Sequence, residues 1–353
     1  MDLGGIDCDI HPTVNSTADL LPYLDGYWHE MVQMRTMGML DLASYPPSNP
    51  LSSRDDWRSA NGRGGVELAK VQSEALDAFG TRIAICNVLY GGQISYNDDM
   101  AAALCSATND WLAAEWLSKD SRLRGSIVIP TEAPALAAAE IDRLAPDGRF
   151  VQVMVLCMGE KPLGKCHYWP IYEAAARHGL PIGIHAGSSY RHPPSTAGYG
   201  SFFFEDYAAQ SQTFGAQVAS FVTEGVFEKF PGLKLVLIES GFTWLPAFMW
   251  RLDKTWRGLR AEVPWVTRPP FETVREHVRM TLQPIDAPDS GNQLERVIDQ
   301  LGSDEMLLFS TDYPHWQFDG DAAMPDGIPQ ALRRKILIDN ALATYPRLQE
   351  AMA

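Results

Sequence analysis

Short apolar runs rich in Ile, Val and Leu alternate along this chain with longer segments whose apolar residues recur at helical spacing. The first kind reads as strands buried on both faces, the second as helices that lay one apolar stripe against a sheet. Eight runs qualify as strands: 5–10, 81–90, 124–129, 150–156, 181–185, 234–239, 277–283 and 306–311. Helical spacing marks 98–117, 133–144, 168–178, 212–230, 244–260, 293–301 and 332–343. Regular alternation predicts parallel strands joined by crossover helices, and eight strands predict a (β/α)8 TIM barrel. The competing open, doubly wound sheet lacks its usual marker, a GxGxxG loop after a strand.

Two stretches are too long and irregular to be ordinary connections. Residues 30–65 are rich in Pro, Ser, Gly and Met, and residues 186–207 contain SSYRHPPSTAGYGSFFFED. The aromatic side chains of the second, Tyr190, Tyr199, Phe202, Phe203 and Phe204, predict packing rather than disorder. The expectation is a single barrel domain over 1–353, with these two insertions as lids over a pocket or as an interface. An interface would make the protein a homodimer or a larger homo-oligomer.

Composition narrows the class. The 353 residues carry 44 Asp and Glu against 29 Lys and Arg, a formal net charge of −15, and 46% are hydrophobic. This balance repels phosphate backbones and anionic lipid, and no basic stripe offsets it, so nucleic acid and membrane are excluded as partners. No apolar run approaches the roughly 18 residues of a spanning helix, and the acidic first residues lack the basic start of a signal peptide. A cytoplasmic protein is predicted. Cys8, Cys86, Cys105, Cys157 and Cys166 are odd in number and lack CxxC spacing, so buried free thiols are expected.

In a parallel barrel, chemistry sits at the C-terminal strand ends and in the loops just after them. The first strand ends in Asp9-Ile10-His11, and residues two apart share a face, so this carboxylate and imidazole can converge on one ion. The fifth strand ends in His185, the sixth in Glu239, and the eighth runs into Asp312 with His315 just beyond. Singly, each has an ordinary structural use: an Asp after a strand caps a helix or forms a turn, and a His after an apolar run is a hydrogen-bonded core imidazole. Caps have no reason to gather at four strand ends, so together these residues predict a site. His29, His167, His178, His192 and His277 fall in helices, loops or a strand start and are expected to be structural.

The segments IDCDIHP, GIHAGS, FPGLKLVLIESGFTWLPAFMWRLD and FSTDYPHWQFD span nearly the whole chain. In residues and spacing they resemble amidohydrolase-related proteins of the aminocarboxymuconate-semialdehyde decarboxylase type. The resemblance implies a metal-dependent barrel whose one divalent ion is held by Asp9, His11, His185 and Asp312, with Asp312, Glu239 and His185 as the catalytic groups. Two departures stand out: the family's usual HxH is Asp9-Ile10-His11 here, and Glu239 replaces the usual His after the sixth strand. Two nitrogen and two oxygen donors rank Zn²⁺ first and Mn²⁺ second. An ionised Glu cannot donate a proton or stabilise an oxyanion, so Glu239 must be protonated, act as a base, or join the ligands.

Two reactions fit such a site. One is decarboxylation of a small aromatic or unsaturated acid; the alternative is hydrolysis of a small lactone, ester or amide by a water whose pKa the metal lowers, with Asp312 taking the proton. The family segments favour the carboxy-lyase, and the loss of the His at position 239 pulls toward the hydrolase. A metal-free enzyme or an inert barrel would leave Asp9, Glu239 and Asp312 crowded as like charges. For a small-molecule substrate, Phe202 and Trp316 offer aromatic surface, and Arg191 and Gln283 are anchors for a carboxylate or phenolic oxygen. Asn87, Tyr90 and His315 complete the expected lining.

Overall fold

The computed structural model describes residues 3–38, 40, 53–60, 62–188, 192–288, 290–315, 323–325 and 327–352. The eight strands are β1 (Ile6–Ile10), β2 (Ile83–Cys86), β3 (Leu123–Val128), β4 (Phe150–Met158), β5 (Ile182–Ser188), β6 (Leu235–Ile238), β7 (Val278–Thr281) and β8 (Leu307–Leu308). They pair in parallel, in chain order, as one sheet. Before β2 come α1 (Gly26–Met34) and α2 (Leu68–Val71); α3 (Asp98–Leu112), α4 (Pro134–Leu144) and α5 (Trp169–Arg177) follow β2, β3 and β4. α6 (Phe203–Thr223) and α7 (Val226–Lys229) follow β5, α8 (Leu245–Leu259) and α9 (Pro270–His277) follow β6, and α10 (Gly291–Leu301) follows β7. The chain ends in α11 (Gln330–Arg334), α12 (Asn340–Thr344) and α13 (Arg347–Met352). This is the expected (β/α)8 barrel.

The sheet closes on itself where β8 meets β1. Cys8 N donates to Phe309 O at 2.9 Å, Asp312 N to Asp9 O at 3.0 Å and His11 N to Tyr313 O at 2.8 Å. A buried side-chain tie reinforces this seam: Asp7 accepts from the Thr311 amide at 3.0 Å and from its hydroxyl at 2.6 Å. Ile6, Cys8, Ile83, Ile85, Val151, Val236, Ile238 and Leu308 form one apolar cluster. Residues from such distant strands meet only across the barrel axis, so this cluster is the inner core. Ala341, Tyr345 and Leu348 close its lower end. The larger cluster packs the helices on the outer face.

Several boundaries differ from the sequence pattern. β2 stops at Cys86 instead of residue 90, because the chain leaves the ladder beyond Asn87 and turns through Gly91–Ile94. The helix expected at 212–230 already begins at Phe203, where Glu205 accepts from the Ser201 and Phe202 amides at 2.6 and 2.9 Å. The run of aromatics there hides the helical period. α9 was not legible at all, since its short sequence PFETVREH has only two strongly apolar positions. Four cysteines are buried free thiols, but Cys166 is exposed on a surface turn. Among the described residues, no helix is long and apolar enough to cross a membrane.

Thr311→Val removes the hydroxyl from the seam and leaves Asp7 Oδ2 buried without its donor. The expected loss is about 1–3 kcal/mol, the cost of orphaning a buried acceptor, read as a lower urea midpoint at unchanged slope. An unchanged midpoint would show that the tie does not stabilise the closure.

Candidate active site

The strand ends bring the predicted groups together. His11 Nε2 lies 3.1 Å from Asp9 Oδ1 and 3.0 Å from Asp312 Oδ1. His185 Nε2 is 3.8 Å from Asp9 Oδ1 and 3.5 Å from Glu239 Oε2. His185 is in register with Ile238, which sets Glu239 beside it. Donor atoms of Asp9, His11 and His185 all lie within 4.8 Å of one another, as do those of His11, Glu239, Asp312 and His315. Asp9, His11, His185 and Asp312 are buried, while His315 stands at the mouth with its ring stacked on His11 at 4.4 Å.

Local backbone geometry aims these side chains. Glu239 and Asp312 have φ of 60° and 55°, a left-handed conformation that only one other non-glycine residue, Thr36, shares among the described residues. Such a conformation costs on the order of 1–3 kcal/mol and persists only where the surroundings enforce it. The Glu239 amide is held by Thr281 Oγ1 at 3.0 Å, and the Asp312 amide by Asp9 O. Behind His11 runs Gly65, with φ of 72°, where a Cβ would lie 2.1 Å from the His11 carbonyl oxygen. Only glycine lets that loop back the site.

The outer hydrogen bonds fix which atoms face inward. His11 Nδ1 donates to the Asn87 carbonyl at 2.8 Å, and His185 Nδ1 to the Ala186 carbonyl at 2.7 Å, so both Nε2 atoms point into the site. Asn87 Nδ2 donates to Asp9 Oδ1 at 2.8 Å, and His315 Nδ1 reaches Asp312 Oδ1 at 2.5 Å. This leaves Asp9 Oδ2, His185 Nε2 and Asp312 Oδ2 buried with no hydrogen-bond partner. Unpaired buried carboxylate oxygens and imidazole lone pairs are costly, and a divalent cation is the kind of group that satisfies them. Asp9, His11, His185 and Asp312 could therefore hold such an ion.

Electrostatics follow from the same crowding. Burial opposes charge on His11, but the Asp9 carboxylate and the hydrogen bond to Asp312 outweigh it and hold its pKa well above the ordinary value. Burial pulls His185 down to about 4, keeping it neutral and able to ligate. Burial, and then the Asp312 charge, push the Glu239 carboxyl well above the usual range. Burial opposes ionisation of Asp312 too, yet His315 and His11 outweigh it and hold that carboxyl well below the usual range.

Other expected residues fare differently. Asn87 is part of the site, bracketing Asp9 with its amide and His11 with its carbonyl. Tyr90 is buried and spends its hydroxyl on Thr17 Oγ1 at 2.7 Å. Gln283 is buried, and its side-chain oxygen accepts from the Ile285 amide at 3.2 Å, in the turn after β7. Phe202 sits at the start of α6, 69% exposed. Arg191, Tyr190 and Trp316 lie outside the described residues. Two residues that sequence reasoning missed hold Glu239: Thr281, and Tyr207 of α6, which donates to Oε1 at 2.7 Å. Neither carries a local signal, because both meet Glu239 only through the fold.

A barrel with a buried cluster of imidazoles and carboxylates at its C-terminal strand ends is the architecture of a barrel enzyme. The chain belongs to the amidohydrolase family, whose profile matches residues 6–347. A gamma-resorcylate decarboxylase from Polaromonas sp. strain JS666 is 28% identical over 254 residues, covering 66% of this chain and 73% of the relative. Among solved structures, dihydroxybenzoic acid decarboxylase from Polaromonas sp. JS666, with manganese and the inhibitor 2-nitroresorcinol bound, superposes with a TM-score of 0.67 at 20% identity, covering 98% of this chain and 97% of that one. The 5-carboxyvanillate decarboxylase of Sphingomonas paucimobilis gives 0.71 at 20% identity, covering 98% and 99%.

The unpartnered atoms predict that Mn²⁺ raises the melting temperature of chelator-treated protein, since an ion at 100 times its Kd contributes about 2.7 kcal/mol. Asp9→Ala should abolish the rise. Identical melting curves with and without Mn²⁺ in the wild-type chain would show that protons alone satisfy the cluster.

Proposed function

We propose that this chain is a metal-dependent carboxy-lyase acting on small aromatic acids that carry a hydroxyl beside the carboxylate. The observation that carries this reading is a pair of donor groups that share His11, one with Asp9 and His185 and the other with Glu239, Asp312 and His315, in which Asp9, His185 and Asp312 each keep a buried atom without a hydrogen-bond partner. The relatives named as decarboxylases of hydroxylated benzoates support the choice of reaction and substrate class. One divalent ion fits the four ligands. The donor set accepts Zn²⁺ or Mn²⁺, and Mn²⁺ is the ion held by the dihydroxybenzoic acid decarboxylase.

In the reaction a proton adds to the ring carbon that bears the carboxylate, the bond to the carboxyl carbon breaks, its electron pair restores the aromatic ring, and CO₂ leaves. When bound, the ion supplies the positive charge that anchors the substrate's carboxylate and neighbouring oxygen. The protein supplies the proton and the geometry. Glu239 carries that proton: Tyr207 fixes Oε1, and Oε2 is the oxygen on the His185 side. Asp312 is held by His11 and His315 on Oδ1, which leaves Oδ2 buried without a hydrogen-bond partner. His315 stacks on His11 and holds Asp312 Oδ1 from the same side.

The unpaired cysteines support a reducing, cytoplasmic setting. In a homodimer or larger homo-oligomer, the 30–65 and 186–207 insertions are the candidate interface. The irregular parts of 30–65 and 186–207 serve as lids or interface of the one barrel domain.

Mn²⁺-loaded protein offered a panel of ortho-hydroxybenzoates should release CO₂ and the matching phenol. Hydrolysis of lactones or esters, with no CO₂ from any hydroxybenzoate, would replace the lyase by the hydrolase. Asp312→Asn, which keeps size and tolerates the left-handed backbone, should retain less than about a tenth of the activity. Glu239→Gln keeps a hydrogen-bonding group but no transferable proton, and should lose at least about 100-fold in kcat. A Gln variant of near-normal rate would make Glu239 structural.

A further inference from the structure

Below the site, a line of polar side chains crosses the apolar inner core. The Tyr345 hydroxyl, between α12 and α13, donates to Gln152 Oε1 at 3.2 Å. Gln152 Nε2, on β4, donates to Ser126 Oγ at 2.8 Å and to Asn87 Oδ1 at 3.0 Å. Ser126 Oγ, on β3, donates to Asn87 Oδ1 at 2.5 Å, and Asn87 Nδ2 donates to Asp9 Oδ1. All of these residues are fully buried.

The directions of these bonds are forced by chemistry. An ionised carboxylate only accepts, so Asn87 must present its NH₂ to Asp9, which turns its oxygen toward Ser126 and Gln152. Gln152 must then offer its own NH₂ to that oxygen, and its Oε1 is left for the Tyr345 hydroxyl. Every proton on the line points toward Asp9, so each bond polarises the next. Space for the line is reserved as well: at Gly183 of β5 a Cβ would lie 2.9 Å from Gln152 Oε1 and 2.8 Å from Ile238 Cδ1. Apolar residues of similar shape would fill this core as well or better, because buried polar groups gain little net stability from their hydrogen bonds. The line ends on one oxygen of Asp9 and leaves the other, Oδ2, unpartnered.

We propose that Tyr345, Gln152 and Ser126 are positioning residues for the ion site, acting through Asn87. By fixing Asp9 Oδ1 from the closed end of the barrel, the line holds the oxygen that faces His11 Nε2 and His185 Nε2 and tightens the grip on a divalent cation. The inference rests on the reading of Asp9 as an ion ligand and is independent of which acid is the substrate.

The test is the Mn²⁺ dissociation constant of the full chain without substrate, from the electron paramagnetic resonance signal of free Mn²⁺, alongside the melting temperature. Gln152→Met and Ser126→Ala should raise Kd about 10- to 100-fold, the usual effect of removing an outer partner of a ligand. Tyr345→Phe should act in the same direction but more weakly, being one bond further away. Val236→Ala opens the same core layer off the line and should lower the melting temperature with Kd unchanged. If Gln152→Met does not fold, Ser126→Ala and Tyr345→Phe decide. Kd at wild-type level in the variants on the line, despite lower melting temperatures, would reduce the line to packing. A wild-type chain that binds no Mn²⁺ would overturn both this inference and the ion reading. Mn²⁺ binding without decarboxylation would overturn the substrate reading alone.

Discussion

The site depends on the closure of the barrel between its first and last strands. Asp9 and Asp312 come from opposite ends of the sequence, and the Asp312 amide bonds directly to the Asp9 carbonyl. The hydrogen bond that closes the sheet therefore also sets the spacing of two carboxylates. His11 and Tyr313 repeat the arrangement one step further along, and Asp7 with Thr311 one step below. Any loosening of this seam separates the donors of β1 from those after β8, and with them the pocket.

Local stability is surrendered around that seam. Two residues sit in left-handed backbone, two carboxylates lie within reach of one imidazole, and three polar atoms are buried without partners. Folding alone favours none of these features, and each is offset by the large apolar clusters on either side of the sheet. The outer hydrogen bonds of His11 and His185 occupy Nδ1 and leave Nε2 facing the site, while those of Asp9 and Asp312 fall on Oδ1 and leave Oδ2 without a hydrogen-bond partner. That division of labour is typical of ligands prepared for a metal.

Glu239 stands where the sequence resemblance implies a His after the sixth strand. The substitution comes with its own support, since Tyr207 reaches across from α6 to one carboxyl oxygen and Thr281 holds the backbone. A carboxyl group kept from ionising by burial can donate a hydrogen bond as an imidazolium does. Because Tyr207 lies near the start of α6, at the end of the 186–207 segment, the position of this helix and the orientation of Glu239 are mechanically linked.

By itself the sequence determined the barrel and the first circle of the site. Eight apolar runs alternating with amphipathic segments specify parallel strands and crossover helices, and that topology obliges residues just after the strands to share one end. Asp9, His11, His185, Glu239 and Asp312 were legible because each sits at such a position. Tertiary structure alone decided what holds them. Tyr207, Thr281, Gln152, Ser126 and Tyr345 reach the site across distances in sequence that leave no periodic or spacing signal, and each is an ordinary core or helix residue when read locally. Which nitrogen of His11 faces inward, and which oxygens of Asp9 and Asp312 stay unpartnered, depend on carbonyls and amides contributed by other strands. Hydrophobic pattern is a property of a segment, whereas hydrogen-bond direction is a property of a neighbourhood that exists only once the sheet has closed.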